Sequence, residues 1–409
     1  MKFLITVILT ISVGDVFSQG NPLSIDNAIE EALKNNESIK AANFEFESEK
    51  QLRKASFDLP KTDVIFLYGQ YNSYAKNDNN ITISQSIPFS AFGSQGSLNQ
   101  ALATSGEIKK SATVNDIVYQ VKQTYYQLAF KLAHHKLLER QDSIYEGFLK
   151  SASLRYKTGE TNLLEQTTAE AQRNEAKNQL RQSDGEIAQL QSQLKIIVNS
   201  RSLPDVAATD LIALPLENVL DTMGYKTNPS LTYMRQQIEV AESQKKLQSA
   251  KFAPDLLVGF FSHTLIGGPT SETGGIATSS DRFTGFQLGI SLPLWFVPHH
   301  AKIRSAEFNM RATESRFNHY QASLQGLVQR AIQQLNTNKN SLDYYTTSAL
   351  PNSYLILKQS QAAYREGEIG YAEYLLGVRN AINIQERHLK TLNDYNQSVI
   401  YIEYLTGNK

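Results

Sequence analysis

The sequence predicts a mostly helical fold with a small β part, made of two copies of one structural unit. Three observations lead to this fold class. The stretch RYKTGE at 155–160 returns as AYREGE at 363–368. Each copy follows a pair of segments that alternate apolar and polar residues, and each is flanked by long segments with apolar residues seven positions apart. Alternation predicts strands and sevenfold spacing predicts packed helices, so the repeated order indicates an internal duplication.

The first segment of the chain is typical of a secretory signal peptide. Lys2 precedes an apolar run at 3–13, and Val16 and Ser18 satisfy the small-residue rule for cleavage before Gln19. The apolar run is too short to span a bilayer. We therefore expect residues 1–18 to be removed and the mature protein to be exported.

Composition excludes several classes of protein. The 409 residues contain 40 Lys and Arg, 40 Asp and Glu, and no cysteine. Without cysteine there is no disulfide framework, and with balanced charge no nucleic-acid partner is expected. Beyond the signal peptide, no segment reaches about 18 consecutive apolar residues. If the protein enters a membrane, it is expected to do so by strands rather than by helices.

The first structural unit is expected at 19–200. It opens with a helix-period pattern that stops near Pro60, because proline ends a helix and leaves the chain extended. Two strand-like segments then flank a polar turn and predict a β-hairpin over 62–89. From Leu98 to about residue 153 there is no proline, which predicts a helix on the order of 80 Å long.

The second unit is expected at 228–409, after a linker at 201–227. Its opening helix pattern stops near Pro254, and its hairpin is predicted over 255–296. The outgoing long helix contains Pro351, which has no counterpart in the first unit, so the two units are expected to differ there.

Both units are predicted to return along a second long helix, which makes a helical hairpin. Apolar residues recur at steps of seven or fourteen, as in a coiled-coil seam: Ala169, Ala176, Leu190 and Ile197 in the first unit, and Leu375, Ile382 and Leu389 in the second. The two turns are expected near 156–165 and 364–373, where Gly159 and Gly367 allow the left-handed φ that a helix-to-helix turn requires.

The predicted strands have a length and an alternation that suit a membrane barrel. Ile81, Ile83 and Ile87 alternate with small polar residues over about ten positions, and aromatic residues crowd the strand ends. Aromatic residues are also favoured in soluble sheets, so a soluble sheet is the alternative interpretation. Because the smallest membrane barrels use about eight strands, four strands per chain would have to be shared between chains, and a homotrimer would supply twelve.

The order of elements resembles that of the TolC family of outer-membrane efflux and secretion channels. The resemblance covers the mature chain and includes the opening LSIDNAIEEALKNN, the strands that run into QSIPF and ISLPLW, and the two tip motifs. The compact length is most similar to members that serve heavy-metal exporters of the resistance-nodulation-division type. The resemblance implies a trimer with a 12-stranded β-barrel that continues into a 12-helix α-barrel.

The resemblance also implies a location and partners. The barrel would lie in the lipid of the outer membrane of a Gram-negative bacterium, and the helices would extend into the periplasm. The hairpin tips would meet a periplasmic adaptor protein and an inner-membrane transporter, and the tip residues expected to contact the adaptor are Tyr156, Gly159, Glu160, Gly367 and Glu368.

Family members close their periplasmic mouth with acidic side chains and polar links, and these are transferred residue by residue. Glu373 matches the first acidic gate position, whereas the second is Leu376, a departure from the pattern. Tyr364 matches a linking tyrosine and Glu165 its acidic partner. The linking arginine is replaced by Ile369, so Arg365 is a candidate substitute.

A purely structural role for the two carboxylates is the alternative interpretation. Glu165 and Glu373 both follow a tip by a few residues, where acids stabilise the first turn of a helix through its dipole. A ring of three symmetry-related carboxylates would instead favour cations at a narrow axis. The sequence does not choose between these readings.

Enzyme signals are sparse, and neither a cofactor nor a metal site is expected. The pairs His134 and His135, and His299 and His300, are adjacent in sequence, which is a poor arrangement for chelation on a helix. The resemblance therefore implies a passive outer-membrane exit duct of a tripartite export system. The alternative is a periplasmic or surface coiled-coil scaffold or adhesin without channel activity.

Overall fold

The computed structural model describes residues 23–71, 73–206, 211–215, 224–270 and 274–407. Two units of the same order follow one another. The first contains α1 (Ile25–Asn35), α2 (Glu37–Leu52), β1 (Asp63–Tyr68), β2 (Asn79–Ile87), α3 (Phe89–Lys157) and α4 (Leu163–Val198). The second contains α5 (Pro229–Ala250), β3 (Asp255–Thr264), β4 (Arg282–Ser291), α6 (Phe296–Tyr344), α7 (Leu350–Glu366) and α8 (Tyr371–Thr406). This confirms the mostly helical fold with a small sheet.

The four strands form one antiparallel sheet in the order β1-β2-β3-β4. The central pairing joins the two units, since β2 of the first hairpin pairs with β3 of the second from Asn80 opposite His263 to Ile87 opposite Leu256. Among the described residues, β1 and β4 each pair on one side only, so the sheet has two open edges.

The register gives the sheet two chemically different faces, because residues directly opposite each other point to the same side and neighbours along a strand alternate. One face carries Val64, Phe66, Tyr68, Ile81, Ile83, Ile87, Leu256, Val258, Phe260, Phe286, Leu288 and Ile290, interrupted by Gln85 and turning polar toward the loops. The other face is mostly small or polar. It carries Thr82, Ser84, Gly259, Gln287, Gly289 and Ser291, together with a stack of Phe261, His263 and Phe283. Ile65, Leu67 and Leu257 are its apolar members.

The structure sets the ends of the first strand and of the opening helices. β1 ends at Tyr68, because Gly69 takes a φ of 124° and turns the chain away. The opening helices end a few residues before Pro60 and Pro254. α2 passes into a 3₁₀ turn at Arg53–Phe57, and α5 ends at Ala250.

The long helices pack through the predicted seams. α3 is continuous over 69 residues, which corresponds to roughly 100 Å. Ala169, Ala176 and Ile197 of α4 and Ile382 of α8 are buried, whereas Leu190, Leu375 and Leu389 are half-buried. Buried residues form one cluster along the middle of the helices and a second, smaller cluster beside the hairpin turns.

The second unit differs from the first at its outgoing helix, as Pro351 led us to expect. A single π-helical turn at Tyr345–Ala349 separates α6 from α7, and Pro351 stands in the first turn of α7. Proline has no N–H to donate and its ring clashes with the carbonyl four residues earlier, so the regular α-helical pattern is interrupted there. The Leu350 N–H donates instead to the Tyr345 carbonyl, five residues back.

The expected signal peptide at 1–18 lies outside the described residues, as does part of the expected linker at 201–227. The described linker residues pack on the helices: Val206, Leu211 and Tyr225 are buried, and the Asn396 side chain of α8 donates to the Ile212 carbonyl. In the described parts of the chain, no helix is long and apolar enough to cross a membrane.

Candidate functional site

The two hairpin turns share one backbone conformation. Gly159 and Gly367 both have a φ of 78°, which is left-handed and strained for a residue with a side chain. In each turn the backbone N–H of the residue after the glycine donates to a carbonyl near the end of the preceding helix. Glu160 donates to Arg155 O and Glu368 donates to Ala363 O, both at 2.8 Å. The duplicated motif is therefore two copies of one helix-ending turn.

A hydrogen-bonded cluster joins the two hairpins beside these turns. The Tyr364 hydroxyl of α7 donates to Glu165 Oε1 of α4 at 2.5 Å. Arg155 of α3 donates through one guanidinium nitrogen to the same Glu165 oxygen and to the Tyr364 hydroxyl, both at 3.2 Å. We call Arg155, Glu165 and Tyr364 the tip cluster. Tyr364 lies 209 residues from Arg155 in sequence, so this cluster is a tertiary link between the two units.

Local sequence places Glu165 in this cluster. Asn162 accepts from the Glu165 N–H and begins α4, so the carboxylate stands in the first turn, near the positive end of the helix dipole. The Thr161 hydroxyl also donates to Glu165 Oε2. Glu165 is only 3% exposed. A buried carboxylate is costly unless it is paired and hydrogen-bonded, and here each oxygen has a donor.

Aromatic rings hold Tyr364 in position. Its ring stacks on Tyr374 with centroids 4.6 Å apart and meets the edge of Phe148 at 5.7 Å. Burial, then the hydrogen bond to Glu165, raises the pKa of Tyr364 to about 12. Tyr364 therefore remains a protonated donor throughout the physiological range. A cleft of about 1030 Å³ lies beside the cluster.

The remaining predicted gate residues are not part of this cluster. Glu373 lies exposed in the first turn of α8, and no ion pair involves it among the described residues. Arg365 is exposed and likewise makes no ion pair in the described chain. The guanidinium that meets Glu165 belongs to Arg155. Leu376, which stands at the second expected acidic position, is exposed on the same helix as Glu373.

The residues expected to contact an adaptor are exposed: Tyr156, Gly159, Glu160, Gly367 and Glu368. Leu154, Leu163 and Leu164 are also exposed at the first turn and form an apolar patch there.

Sequence reasoning singled out neither Arg155 nor the three leucines. Arg155 does stand immediately before the Tyr156 that opens the first copy of the motif, and the second copy has Ala363 at that place. This difference between two matched copies was the available signal for Arg155.

His134 and His135 make polar contacts between helices. His134 Nε2 lies 3.6 Å from Glu386 of α8, and His135 Nδ1 lies 3.7 Å from Asp184 of α4. His299 and His300 contact the Phe252 ring. Within the described ranges, no group of three or more His, Cys, Asp or Glu residues could hold a metal ion.

Comparison with protein families finds a match for the second unit. Residues 225–408, which nearly coincide with that unit, match the family described as outer membrane efflux protein. The match agrees with the resemblance to the TolC family that the duplicated motifs indicate. No curated protein sequence matches the chain.

Solved structures share the fold of this chain across both units. CusC, described for the conformational changes that accompany folding and transmembrane channel formation, is 16% identical with a TM-score of 0.77, over 94% of this chain and 92% of that one. The CmeC outer membrane channel of Campylobacter jejuni is 12% identical with a TM-score of 0.77, over 100% and 93%. The outer membrane protein VceC of Vibrio cholerae is 15% identical with a TM-score of 0.69, over 93% and 96%. At these identities the likeness establishes the fold, which is that of channel proteins.

Proposed function

We propose that this protein is a passive outer-membrane exit duct in a tripartite export system, assembled as a homotrimer. The observation that carries the proposal is the sheet, which has one apolar face and two open edges. Three copies joined edge to edge, β4 of one to β1 of the next, would close a barrel of twelve strands with its apolar face toward lipid.

The exposure of the apolar face supports a lipid environment. Phe286 is 85% exposed, and Val64, Phe66, Leu288 and Ile290 are exposed as well. A continuous apolar patch of this kind is unfavourable in water and marks a surface that meets another apolar phase. The alternation of this face with a small, polar one is what a water-filled barrel interior requires.

The helical hairpins would continue the barrel into the periplasm and end at the tip cluster. The link from Tyr364 to Glu165 and Arg155 would hold the second hairpin against the first and keep the periplasmic mouth narrow. Glu373, one turn past the second tip, would supply a carboxylate from each subunit near the axis and favour cations there. The exposed turns and leucines would meet a periplasmic adaptor, which in turn would join an inner-membrane transporter.

Ionic current across a planar lipid bilayer tests the duct. Purified wild-type protein is expected to give discrete, cation-selective current steps, and Glu373→Ala is expected to reduce that selectivity. The matched control is Glu170→Ala, which removes an exposed carboxylate from α4 that makes no ion pair in the described structure. If both variants have the same cation selectivity, the proposal of a duct stands, but Glu373 does not lie at the channel mouth.

Membrane extraction separates the duct from the alternative of a coiled-coil scaffold. A protein inserted by strands should resist high salt and dissolve only in detergent, because its attachment is apolar. Release by salt alone, together with no current from folded protein, would favour the scaffold.

A further inference from the structure

The junction between the sheet and the helices carries an exposed apolar band. Phe57, Phe89 and Trp295 lie where the chain passes between helix and strand, and Phe57 and Trp295 are 78% and 82% exposed. Leu294 and Val297 extend the band on either side of Trp295 and are also exposed. The band follows the end of the apolar sheet face, which closes with Ile87, Leu256 and Ile290.

Cations are concentrated next to this band. The segments 51–63, 245–255 and 296–304 hold eight Lys and Arg against three Asp. The segments at the opposite end of the sheet, 69–79 and 265–282, hold two Lys and Arg against three Asp and Glu. Arg53, Lys54, Lys61, Lys251 and Lys302 are exposed and make no ion pair among the described residues. We call the apolar band with these cations the junction belt.

A cleft of about 490 Å³ lies within the junction belt, between the end of α2, the start of α3 and the turn from α5 to β3. Leu52, Ala55 and Phe92 give it apolar walls. Lys251 lines it together with the carboxylates Asp58 and Asp255. The lining therefore combines apolar surface, a cation and hydrogen-bond acceptors. All of these residues come from one subunit, so the cleft needs no second copy to form.

We propose that the junction belt binds the headgroup of an anionic phospholipid in the leaflet that faces the helices. The inference rests on the proposed function, because it requires the sheet to lie in a membrane. The phosphodiester would be bound by Lys251, which lines the cleft, with Arg53 and Lys54, which stand in the chain between the lining residues Leu52 and Ala55. The acyl chains would lie along the apolar band. A headgroup with hydroxyls, such as glycerol, could donate to Asp58 and Asp255. The excess of cations favours a net negative lipid over a zwitterionic one.

Thermal unfolding in lipid-doped micelles tests the proposal. The full-length protein is purified in a neutral detergent, and short-chain phosphatidylglycerol is added, with phosphatidylcholine and phosphatidylethanolamine of the same chains in parallel. Phosphatidylglycerol is expected to raise the Tm of the wild type by about 3 °C or more, since a ligand that binds only the folded state stabilises it. The two neutral lipids are expected to raise it by less than about a third of that shift.

Two triple variants carry the comparison. Arg53→Gln, Lys54→Gln and Lys251→Gln together should abolish the phosphatidylglycerol shift. Lys136→Gln, Lys177→Gln and Lys339→Gln, which remove exposed cations from the long helices, should retain it. An equal shift in both triple variants would overturn the proposal. So would an equal shift with the neutral lipids, or the same shift from inorganic phosphate alone.

Current in a bilayer of phosphatidylcholine alone separates this inference from the proposed function. Both triple variants should conduct as the wild type does, because the belt is placed outside the conducting path. Absence of current in the wild type counts against the duct, whereas absence of the phosphatidylglycerol shift in a conducting wild type counts against the belt.

Discussion

Replacing Tyr364 by Phe should loosen the link between the two hairpin tips. The substitution removes one hydroxyl and keeps the ring, so the stacking on Tyr374 and the edge contact with Phe148 are preserved. Two hydrogen bonds of the hydroxyl are lost: the one it donates at 2.5 Å to Glu165, a carboxylate that is only 3% exposed, and the weaker one it accepts from Arg155 at 3.2 Å.

The size of the effect follows from the charge and burial of the acceptor. A hydrogen bond to a charged group contributes about 1.5–3 kcal/mol. Arg155 still reaches the same oxygen at 3.2 Å, but its side chain is 40% exposed and its contribution is screened by solvent. We therefore expect a loss near the lower end, about 1.5 kcal/mol, which corresponds to roughly a tenfold change in an equilibrium constant.

Single-channel recording measures this change. If the link exists only while the tips are together, Tyr364→Phe should raise the ratio of open to closed time about tenfold. The control is Tyr374→Phe, which removes a hydroxyl from the neighbouring stacked ring where no hydrogen bond of that hydroxyl is seen in the described structure. The control should gate as the wild type does.

The pH dependence gives a second check on the same bond. Because the folded pKa of Tyr364 is raised to about 12, the neutral phenol is the favoured form. The stability that it contributes is fully present below the ordinary tyrosine pKa, near 10, and is lost as pH rises through about 12. Titration of Tyr364 should therefore leave gating unchanged between about pH 6 and 9. Equal gating of Tyr364→Phe and Tyr374→Phe would refute the assignment of the link.

Three further predictions concern the turns, the sheet and the mouth. Gly367→Ala should lower the free energy of unfolding by about 1 kcal/mol because its φ is 78°, whereas Gly185→Ala, in the open interior of α4, should raise it by roughly 0.5–1 kcal/mol, as measured by thermal or denaturant unfolding. Phe286→Lys on the apolar face should cost about 2–4 kcal/mol of insertion and abolish assembly into lipid vesicles, and Gln287→Lys on the opposite face should assemble normally. Glu373→Ala should halve or further reduce the cation-to-anion permeability ratio measured from reversal potentials, and an unchanged ratio would return Glu373 to the role of a helix-end charge.

The fold class could be predicted because its signals are local and were present twice. The alternation through Ile81 and Ile83, the sevenfold spacing through Ala169 and Ala176, and a glycine at each turn depend on backbone geometry that neighbouring residues set. A single copy of the turn motif indicates only a helix end, whereas two copies in matching surroundings indicate a duplicated unit.

The site was predicted only in part. Tyr364 and Glu165 were named through the family resemblance, and the structure brings them into contact. The arginine was placed at Arg365, whereas Arg155 is the residue that reaches Glu165. Arg155 and Glu165 flank the same turn, ten residues apart in sequence, so their contact is local to the first hairpin. Tyr364 lies 199 residues from Glu165 and meets it only when the two hairpins pack.

The sequence by itself determined which segments are helices, strands and turns, because those depend on periodicity and on the few residues that allow special backbone angles. The tertiary structure alone decided that β2 pairs with β3 and unites the two sheet halves, that Glu165 is buried, and that Tyr364 is its partner. The physical reason is distance along the chain: pairings across about 180 to 210 residues depend on how whole helices and strands pack, and no local pattern records that packing.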